Sequence, residues 1–220
     1  MIQLVIFDFD GTIIDTETPW FQAFNKVYED YDFTLSIEDW SKCIGTSFDS
    51  FNPVVNLITK LNNTVSESEI RTKSRDYYNQ YMVSQPVRPG IISCLRDAKE
   101  MEMGIAIASS SKMEWITGYL EEHQLSSYFD VIMTADLVSR VKPDPELYDK
   151  VLSQLNCAGR CTLAFEDSPN GLKAARAAGV HCVVVPNDVT YNLDFGDHEL
   201  VINDLSKTTL AEITNKLSYR

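Results

Sequence analysis

The stretch Gln3-Leu4-Val5-Ile6-Phe7-Asp8-Phe9-Asp10-Gly11-Thr12 joins an apolar run to two carboxylates and a glycine. The run predicts a buried strand, and because strand side chains alternate between faces, Asp8 and Asp10 leave on the same side. Gly11 permits a tight turn that carries the chain away from them. Two carboxylates held this close repel each other, and a divalent cation or a shared proton relieves the repulsion. The stretch therefore indicates a catalytic strand end.

Two simpler interpretations compete for the same residues. A calcium loop also begins Asp-x-Asp, but its glycine stands at the sixth position, whereas Gly11 is the fourth residue counted from Asp8. A surface turn after a strand also uses Asp and Gly. This motif alone leaves the surface turn open, and only the later segments count against it.

Length and charge limit the classes of function. A chain of 220 residues can bury a full core and carry an inserted domain. The formal net charge of −13 argues against binding to nucleic acid or to an anionic membrane, because a general basic field is missing. No apolar run is long enough to span a bilayer, and Met1-Ile2-Gln3 does not begin a secretion signal. We therefore expect a cytoplasmic protein, and the five scattered cysteines indicate reduced thiols.

Two types of periodicity divide the chain. Between residues 16 and 86 apolar residues recur at helical spacing, as in residues 19–28, 51–61 and 70–82, and no strand-like run interrupts them. From residue 87 onwards, predicted strands alternate with predicted helices, which is typical of a parallel sheet covered on both faces. The predicted strands cover residues 104–109, 131–134, 162–166, 182–185 and 200–202. The predicted helices cover residues 91–102, 112–123, 145–155 and 169–178.

The alternation predicts an α/β fold with a Rossmann-like parallel sheet, helices on both faces and an inserted all-α cap domain. Residues 1–15 and 87–220 would form the α/β core domain, because the first strand belongs to the same sheet as the later ones. Residues 16–86 would form the helical cap domain.

Polar residues follow other predicted strands, where ligands of open parallel sheets bind. Ser109-Ser110-Ser111 precedes a helix whose free amide groups favour an anion such as phosphate, although the serines can also simply cap that helix. Lys142 precedes Pro143, which could aim the ammonium back at the sheet, although a solvated surface lysine is the ordinary alternative.

A second acidic strand end is formed by Glu166-Asp167. Mg²⁺ prefers oxygen ligands and usually keeps waters and phosphate oxygens, so carboxylates from two adjacent strands would suffice to hold it. The alternative is a helix cap, because a helix begins directly afterwards.

Taken together, these four clusters resemble the haloacid dehalogenase-like hydrolase superfamily. The stretch from Asp8 to Thr12 matches its first motif, Ser109 its second, Lys142 its third and Glu166-Asp167 its fourth. The helical insert after the first motif further resembles the branch of small sugar-phosphate phosphatases and β-phosphoglucomutases. The likeness spans essentially the whole chain.

The resemblance implies a Mg²⁺-dependent phosphatase that hydrolyses a small phosphorylated metabolite through an aspartyl-phosphate. Asp8 would be the nucleophile and a metal ligand, and Asp10 would be the general acid and base, with its backbone carbonyl on the metal. Asp167 would bind the metal, with Glu166 beside it. Lys142, Ser109 and the amide groups of Ser110 and Ser111 would hold the transferring phosphoryl group.

The same resemblance places substrate recognition on the cap. The residues concerned are Thr16, Glu17, Trp20, Gly45 and Thr46, the last two within the run Ile44-Gly45-Thr46-Ser47-Phe48. β-Phosphoglucomutases carry a histidine near position 20 and an arginine near position 48. Trp20 and Phe48 stand there in this chain, and a neutral aromatic ring cannot replace an arginine fork for phosphate.

A simple phosphatase is therefore the preferred interpretation, with a phosphoglucomutase-like transferase and a non-catalytic phosphate-binding regulator as alternatives. We expect a monomer, because a cap that opens and closes suits one.

Overall fold

The computed structural model describes residues 1–42, 51–83, 85–196 and 198–218. Its strands are β1 (Leu4–Phe7), β2 (Gly104–Ala108), β3 (Val131–Met133), β4 (Thr162–Glu166), β5 (His181–Val184) and β6 (Leu200–Val201). They form one sheet in the order β3-β2-β1-β4-β5-β6, and every pair of neighbours is parallel. The predicted Rossmann-like α/β fold is confirmed.

The α-helices are α1 (Glu17–Glu29), α2 (Ile37–Ser41), α3 (Pro53–Lys60), α4 (Glu67–Met82), α5 (Ile91–Glu100), α6 (Met113–Glu122), α7 (Glu146–Gln154), α8 (Pro169–Ala177) and α9 (Leu210–Ser218). Short 3-10 turns cover Ser126–Tyr128, Ala135–Leu137, Gly159–Cys161 and Leu205–Lys207. Among the described helices, none is both long enough and apolar enough to cross a membrane.

The predicted elements of the α/β part are present within one or two residues at most ends. The strand at residues 162–166 has its predicted bounds, while β5 begins one residue earlier than predicted, at His181. Two helices, α2 and α9, were not predicted. Helix α2 is only five residues long, and a segment this short shows too few apolar repeats for a periodicity argument.

The chain divides into two compact units. The first contains Met1–Ile14, Val87–Pro186 and the residues from Asp194 onwards, and it holds the sheet. The second contains Asp15–Pro86 and Asn187–Leu193. Residues 187–193 were predicted to belong to the α/β core domain. In the structure they belong to the second unit, where Val189 packs in the apolar core.

The central strand β1 is buried on both faces of the sheet. Leu4 and Ile6 pack in one apolar cluster with side chains of α7 and α8, whereas their neighbours Val5 and Phe7 point to the other face and are equally buried. Helix α5 contacts β2. Burial on both faces explains why β1 is a continuous apolar run rather than an alternating one. Only the strand ends are left for polar side chains.

The second unit has an aromatic core of its own. Helices α1 and α4 pack against each other, and Phe24, Tyr28 and Trp40 belong to one buried cluster. The Tyr28 hydroxyl donates to the Pro53 carbonyl at 2.7 Å, which satisfies its polar end inside the core.

Candidate active site

The candidate site is built on Asp8, directly after the central strand β1. The Asp8 backbone N–H donates to the Phe165 carbonyl at 2.9 Å, which continues the pairing with β4 past the end of the strand. Beneath it the rings of Phe7 and Phe165 stack with centroids 5.0 Å apart. The Asp8 side chain is only 9% exposed, so its charge needs partners from the protein or from a ligand.

One partner is the buried ammonium of Lys142, on the segment between β3 and α7. Its Nζ lies 2.7 Å from Glu166 Oε1 and also donates to Asp8 Oδ1. The Lys142–Pro143 peptide bond is cis. Burial opposes the charged ammonium, but the two carboxylates outweigh burial and raise the pKa of Lys142 above its ordinary value. Lys142 therefore stays protonated between Asp8 and Glu166.

Glu166, the last residue of β4, is fully buried. Its Oε1 accepts hydrogen bonds from Lys142 and from the Tyr148 hydroxyl, whereas its Oε2 has no hydrogen-bond partner within the described part of the chain. Burial raises the pKa of Glu166 to about 7, although the ammonium of Lys142 acts in the opposite direction. A buried oxygen without a partner costs about 1–3 kcal/mol, so this site favours an added ligand.

Two glycines make room for the acidic side chains of β4. A Cβ atom built on Gly171 would lie 1.8 Å from Glu166 Oε2, and one built on Gly11 would lie 2.0 Å from Asp167 Oδ2. Gly11 also has a positive φ of 81°, which L side chains rarely adopt. Any other residue at either position would displace a carboxylate.

Asp8, Glu166 and Asp167 together fit a hard divalent cation. Each offers one carboxylate oxygen, and these atoms lie within 4.8 Å of one another. If all three carboxylates are ionised, they and the ammonium of Lys142 together carry a formal charge of −2. Oxygen-only donors suit Mg²⁺ or Ca²⁺ better than zinc, which prefers nitrogen and sulfur ligands. The unpartnered Glu166 oxygen is an independent sign that a ligand belongs there.

The Asp10 side chain lies outside this three-carboxylate group and has its own donors. The Ser111 hydroxyl donates to Asp10 Oδ2 at 2.5 Å, and the Trp115 indole N–H donates to Oδ1 at 3.0 Å. Burial raises the pKa of Asp10, the Ser111 hydrogen bond opposes this shift, and the nearby charge of Asp8 adds to it. A raised pKa favours a carboxyl group that can donate a proton.

The serines after β2 do not cap helix α6. Ser109 is buried, its Oγ accepts the Ser111 backbone N–H at 3.0 Å, and Ser110 is exposed. The N-cap residue is Lys112, and the Met113 amide at the start of the helix donates to Asp136 Oδ2 at 2.6 Å. The capping interpretation of the serines was wrong because an aspartate from a different segment supplies the acceptor. Ser168, rather than Glu166 or Asp167, caps α8 with its side chain.

Among the described residues, three that contact the site were not predicted from the sequence. Tyr148 donates to Glu166, Trp115 donates to Asp10, and the Arg88 guanidinium donates to the Gly11 carbonyl. A usable indication existed for Trp115, because it lies in the first turn of a helix that follows a strand end. Tyr148 sits among apolar residues of α7, so its spacing predicts only a core position.

The other residues predicted to bind substrate either belong to the second unit or lie outside the described residues. Thr16 is the N-cap residue of α1, buried and without a side-chain capping bond, and Glu17 is the first residue of that helix. The Trp20 ring stacks on Tyr78 with centroids 3.9 Å apart. Gly45 and Thr46, with the rest of residues 43–50, lie outside the described residues.

Comparisons with known proteins agree with this architecture. The family model described as haloacid dehalogenase-like hydrolase matches residues 5–185. The chain is 38% identical over 218 residues to the protein named "Putative phosphatase YhcW" of Bacillus subtilis (strain 168), covering 99% of each chain. It is 27% identical to the phosphorylated carbohydrates phosphatase of Thermotoga maritima, covering 98% of each.

A solved structure shows the same fold over nearly the whole chain. CbbY from Rhodobacter sphaeroides, crystallised in complex with phosphate, is 25% identical and superposes with a TM-score of 0.71, covering 97% of this chain and 100% of that one. The family model spans the first, second, third and fourth polar clusters. The chain therefore belongs to the haloacid dehalogenase-like hydrolase family.

Proposed function

We propose that this hydrolase is a Mg²⁺-dependent phosphatase of small phosphorylated metabolites, with a sugar phosphate as the preferred class of substrate. The observation that carries the proposal is the group formed by Asp8, Glu166 and Asp167, whose oxygens lie within 4.8 Å of one another beside the buried ammonium of Lys142. The names of two relatives and the phosphate bound to CbbY support phosphate-ester chemistry.

Asp8 is the proposed nucleophile. One of its carboxylate oxygens attacks phosphorus, a phosphorus–oxygen bond to Asp8 forms, and the ester bond to the substrate oxygen breaks. The hydrogen bond from Lys142 to Asp8 fixes the orientation of that carboxylate. The ammonium also balances negative charge that gathers on the phosphoryl oxygens.

Asp10 is the proposed general acid and base. It donates its proton to the departing alkoxide, and in the second step it accepts a proton from the water that attacks the aspartyl-phosphate. The phosphorus–oxygen bond to Asp8 then breaks, and inorganic phosphate leaves. Ser111 and Trp115 hold both oxygens of Asp10, which keeps its side chain apart from the three-carboxylate group.

Asp8, Glu166 and Asp167, with the backbone carbonyl of Asp10, would hold Mg²⁺, which would supply concentrated positive charge for an anionic substrate. The Ser109 hydroxyl accepts the Ser111 amide and so keeps its own proton for a phosphoryl oxygen. The exposed Ser110 can offer its amide to the same group. We place sugar recognition on Thr16, Glu17, Trp20, Gly45 and Thr46.

The proposal is tested by measuring phosphate release from a panel of phosphorylated metabolites with Mg²⁺. Asp8→Asn should lower kcat by more than about a thousandfold, because it removes the nucleophile. The matched control is Asp149→Asn, since Asp149 is an exposed carboxylate of the same unit, and it should keep full activity. Substantial turnover by Asp8→Asn would refute the mechanism, and binding of a phosphate ester without turnover by the natural protein would favour a regulator.

A further inference from the structure

Arg88 connects two separate strand ends of the α/β unit through their backbone carbonyls. Its Nη1 donates to the Gly11 carbonyl and, at 3.0 Å, to the Val185 carbonyl, and its Nη2 donates to the Pro186 carbonyl at 2.7 Å. Gly11 lies in the turn after β1, whereas Val185 and Pro186 directly follow β5. One rigid guanidinium thus joins two segments that lie 77 and 98 residues from Arg88 on opposite sides of it in the sequence.

The Gly11 turn is the segment that carries Asp8 and Asp10. The Gly11 N–H donates to the Ile14 carbonyl at 2.7 Å, and the Arg88 backbone N–H donates to the Ile13 carbonyl at 2.9 Å. Arg88 therefore holds the turn with both its main chain and its side chain. A displacement of Gly11 would reach the Asp167 carboxylate, because a Cβ at Gly11 would already lie 2.0 Å from Asp167 Oδ2.

At the β5 end of this hydrogen-bond network, Val185 is bonded to the backbone of Glu166. The Val185 N–H donates to the Glu166 backbone carbonyl at 2.7 Å, so the residue after β5 is fixed to the acidic end of β4. The Val185 carbonyl accepts from Arg88 at the same time. Hydrogen bonds thus run from the Glu166 backbone through Val185 and Arg88 to Gly11.

We propose that Arg88 is a positioning residue that sets the spacing between the carboxylates of the first strand and those of the fourth, and so the affinity of the site for a divalent cation. The inference rests on the proposed function, because it concerns the cation site of that reaction. Residues that orient metal ligands typically change metal affinity or activity about 10- to 100-fold when they are replaced. Water can hydrogen-bond the three carbonyls after Arg88 is removed, but it cannot keep them at a fixed spacing.

The surroundings of Arg88 allow a chemical test. With Thr12, Val185 and Asp204, among others, Arg88 lines a cavity of about 300 Å³. We expect the Arg88→Ala variant to enlarge this cavity and to expose to it the carbonyls of Gly11, Val185 and Pro186, which the guanidinium now contacts. A free guanidinium ion has the same planar donors as the lost side chain, whereas methylammonium has a single nitrogen.

The first experiment measures Mg²⁺ binding by calorimetry, which needs no turnover. Arg88→Ala should raise the Kd for Mg²⁺ by about 10- to 100-fold. Arg88→Lys should recover part of the affinity, and it serves as the main variant if Arg88→Ala does not fold. The matched control is Arg96→Ala, because Arg96 is an exposed arginine on helix α5, and its Kd should stay within about twofold of the natural value.

The second experiment adds millimolar guanidinium or methylammonium to Arg88→Ala. Guanidinium should restore most of the lost Mg²⁺ affinity, and methylammonium should not. An unchanged Kd in both Arg88 variants, or equal rescue by both cations, overturns the positioning role. If the natural protein binds Mg²⁺ but releases no phosphate from any ester, the proposed phosphatase function is wrong, and the Mg²⁺ affinities still test the positioning role of Arg88. If the natural protein does not bind Mg²⁺, the phosphatase function and the positioning role are both overturned.

Discussion

Replacing Lys142 with methionine removes the buried ammonium and keeps most of the apolar stem. The Nζ atom lies 2.7 Å from Glu166 Oε1 and donates to Asp8, and the three side chains are 6%, 0% and 9% exposed for Lys142, Glu166 and Asp8. Removal of one partner from a buried ion pair costs about 3–5 kcal/mol, because a charge is left without compensation. We expect Lys142→Met to lower the free energy of unfolding by that amount in the absence of divalent ions.

The assay is urea unfolding in EDTA at pH 8, because at this pH protonation of the carboxylates is least able to compensate for the missing ammonium. The control is Lys150→Met, because Lys150 pairs with Glu146 at 3.0 Å on the surface, where its side chain is 44% exposed. Exposed pairs contribute about 0–1 kcal/mol, so this variant should change little. Saturating Mg²⁺ should restore part of the stability lost in Lys142→Met, because the cation replaces the missing positive charge.

A loss below about 1 kcal/mol in Lys142→Met, similar to that of Lys150→Met, would be inconsistent with a buried ion pair at Lys142. It would mean that Asp8 and Glu166 do not depend on the ammonium. A Mg²⁺ effect no larger in Lys142→Met than in the natural protein would likewise contradict the idea that the two positive charges act on the same carboxylates.

Two further predictions concern Glu166. Gly171→Ala should destabilise the protein by about 1–3 kcal/mol and abolish Mg²⁺ binding in calorimetry, because its Cβ would lie 1.8 Å from Glu166 Oε2. The control is Gly118→Ala, whose Cβ would meet nothing within 4 Å and which should stabilise helix α6 slightly. Equal behaviour of the two variants would contradict the steric argument. In EDTA, the natural protein should lose stability relative to Glu166→Gln as the pH rises from about 4.5 to about 7. Burial raises the folded-state pKa of Glu166 to about 7, so the folded protein binds this proton more tightly than the unfolded chain does. Urea unfolding at a series of pH values measures this difference, and a difference that does not change with pH would show that the carboxyl group of Glu166 is not desolvated.

Local sequence was sufficient for the elements that carry the site. The apolar run before Asp8 and the run at residues 162–166 correspond to β1 and β4, and both deliver their acidic residues to the same edge of the sheet. The prediction of these strands succeeds because a fully buried parallel strand must be apolar on both faces. Their acidic residues come together because ligand sites of open parallel sheets lie at the carboxyl ends of the strands.

Contacts between residues that are far apart in the sequence could not be predicted from sequence patterns. Arg88 meets Gly11 and Pro186, which are 77 and 98 residues away, and no periodicity records such a contact. Trp115 is similarly 105 residues from Asp10. The alternative that the serines cap α6 failed for the same reason, since the Met113 N–H donates to Asp136, which lies 23 residues away. Sequence position predicts which strand end a residue occupies, but not which side chain from another segment reaches it.

The divalent cation can be located directly in crystals grown with Mn²⁺, because the anomalous scattering of Mn²⁺ identifies the bound ion. We predict an anomalous peak bound by carboxylate oxygens of Asp8 and Asp167, with Glu166 beside it. The same crystals of Asp8→Asn should show a weaker peak or none. A strong peak elsewhere, with no peak among these three carboxylates, would show that they do not form the cation site of the reaction.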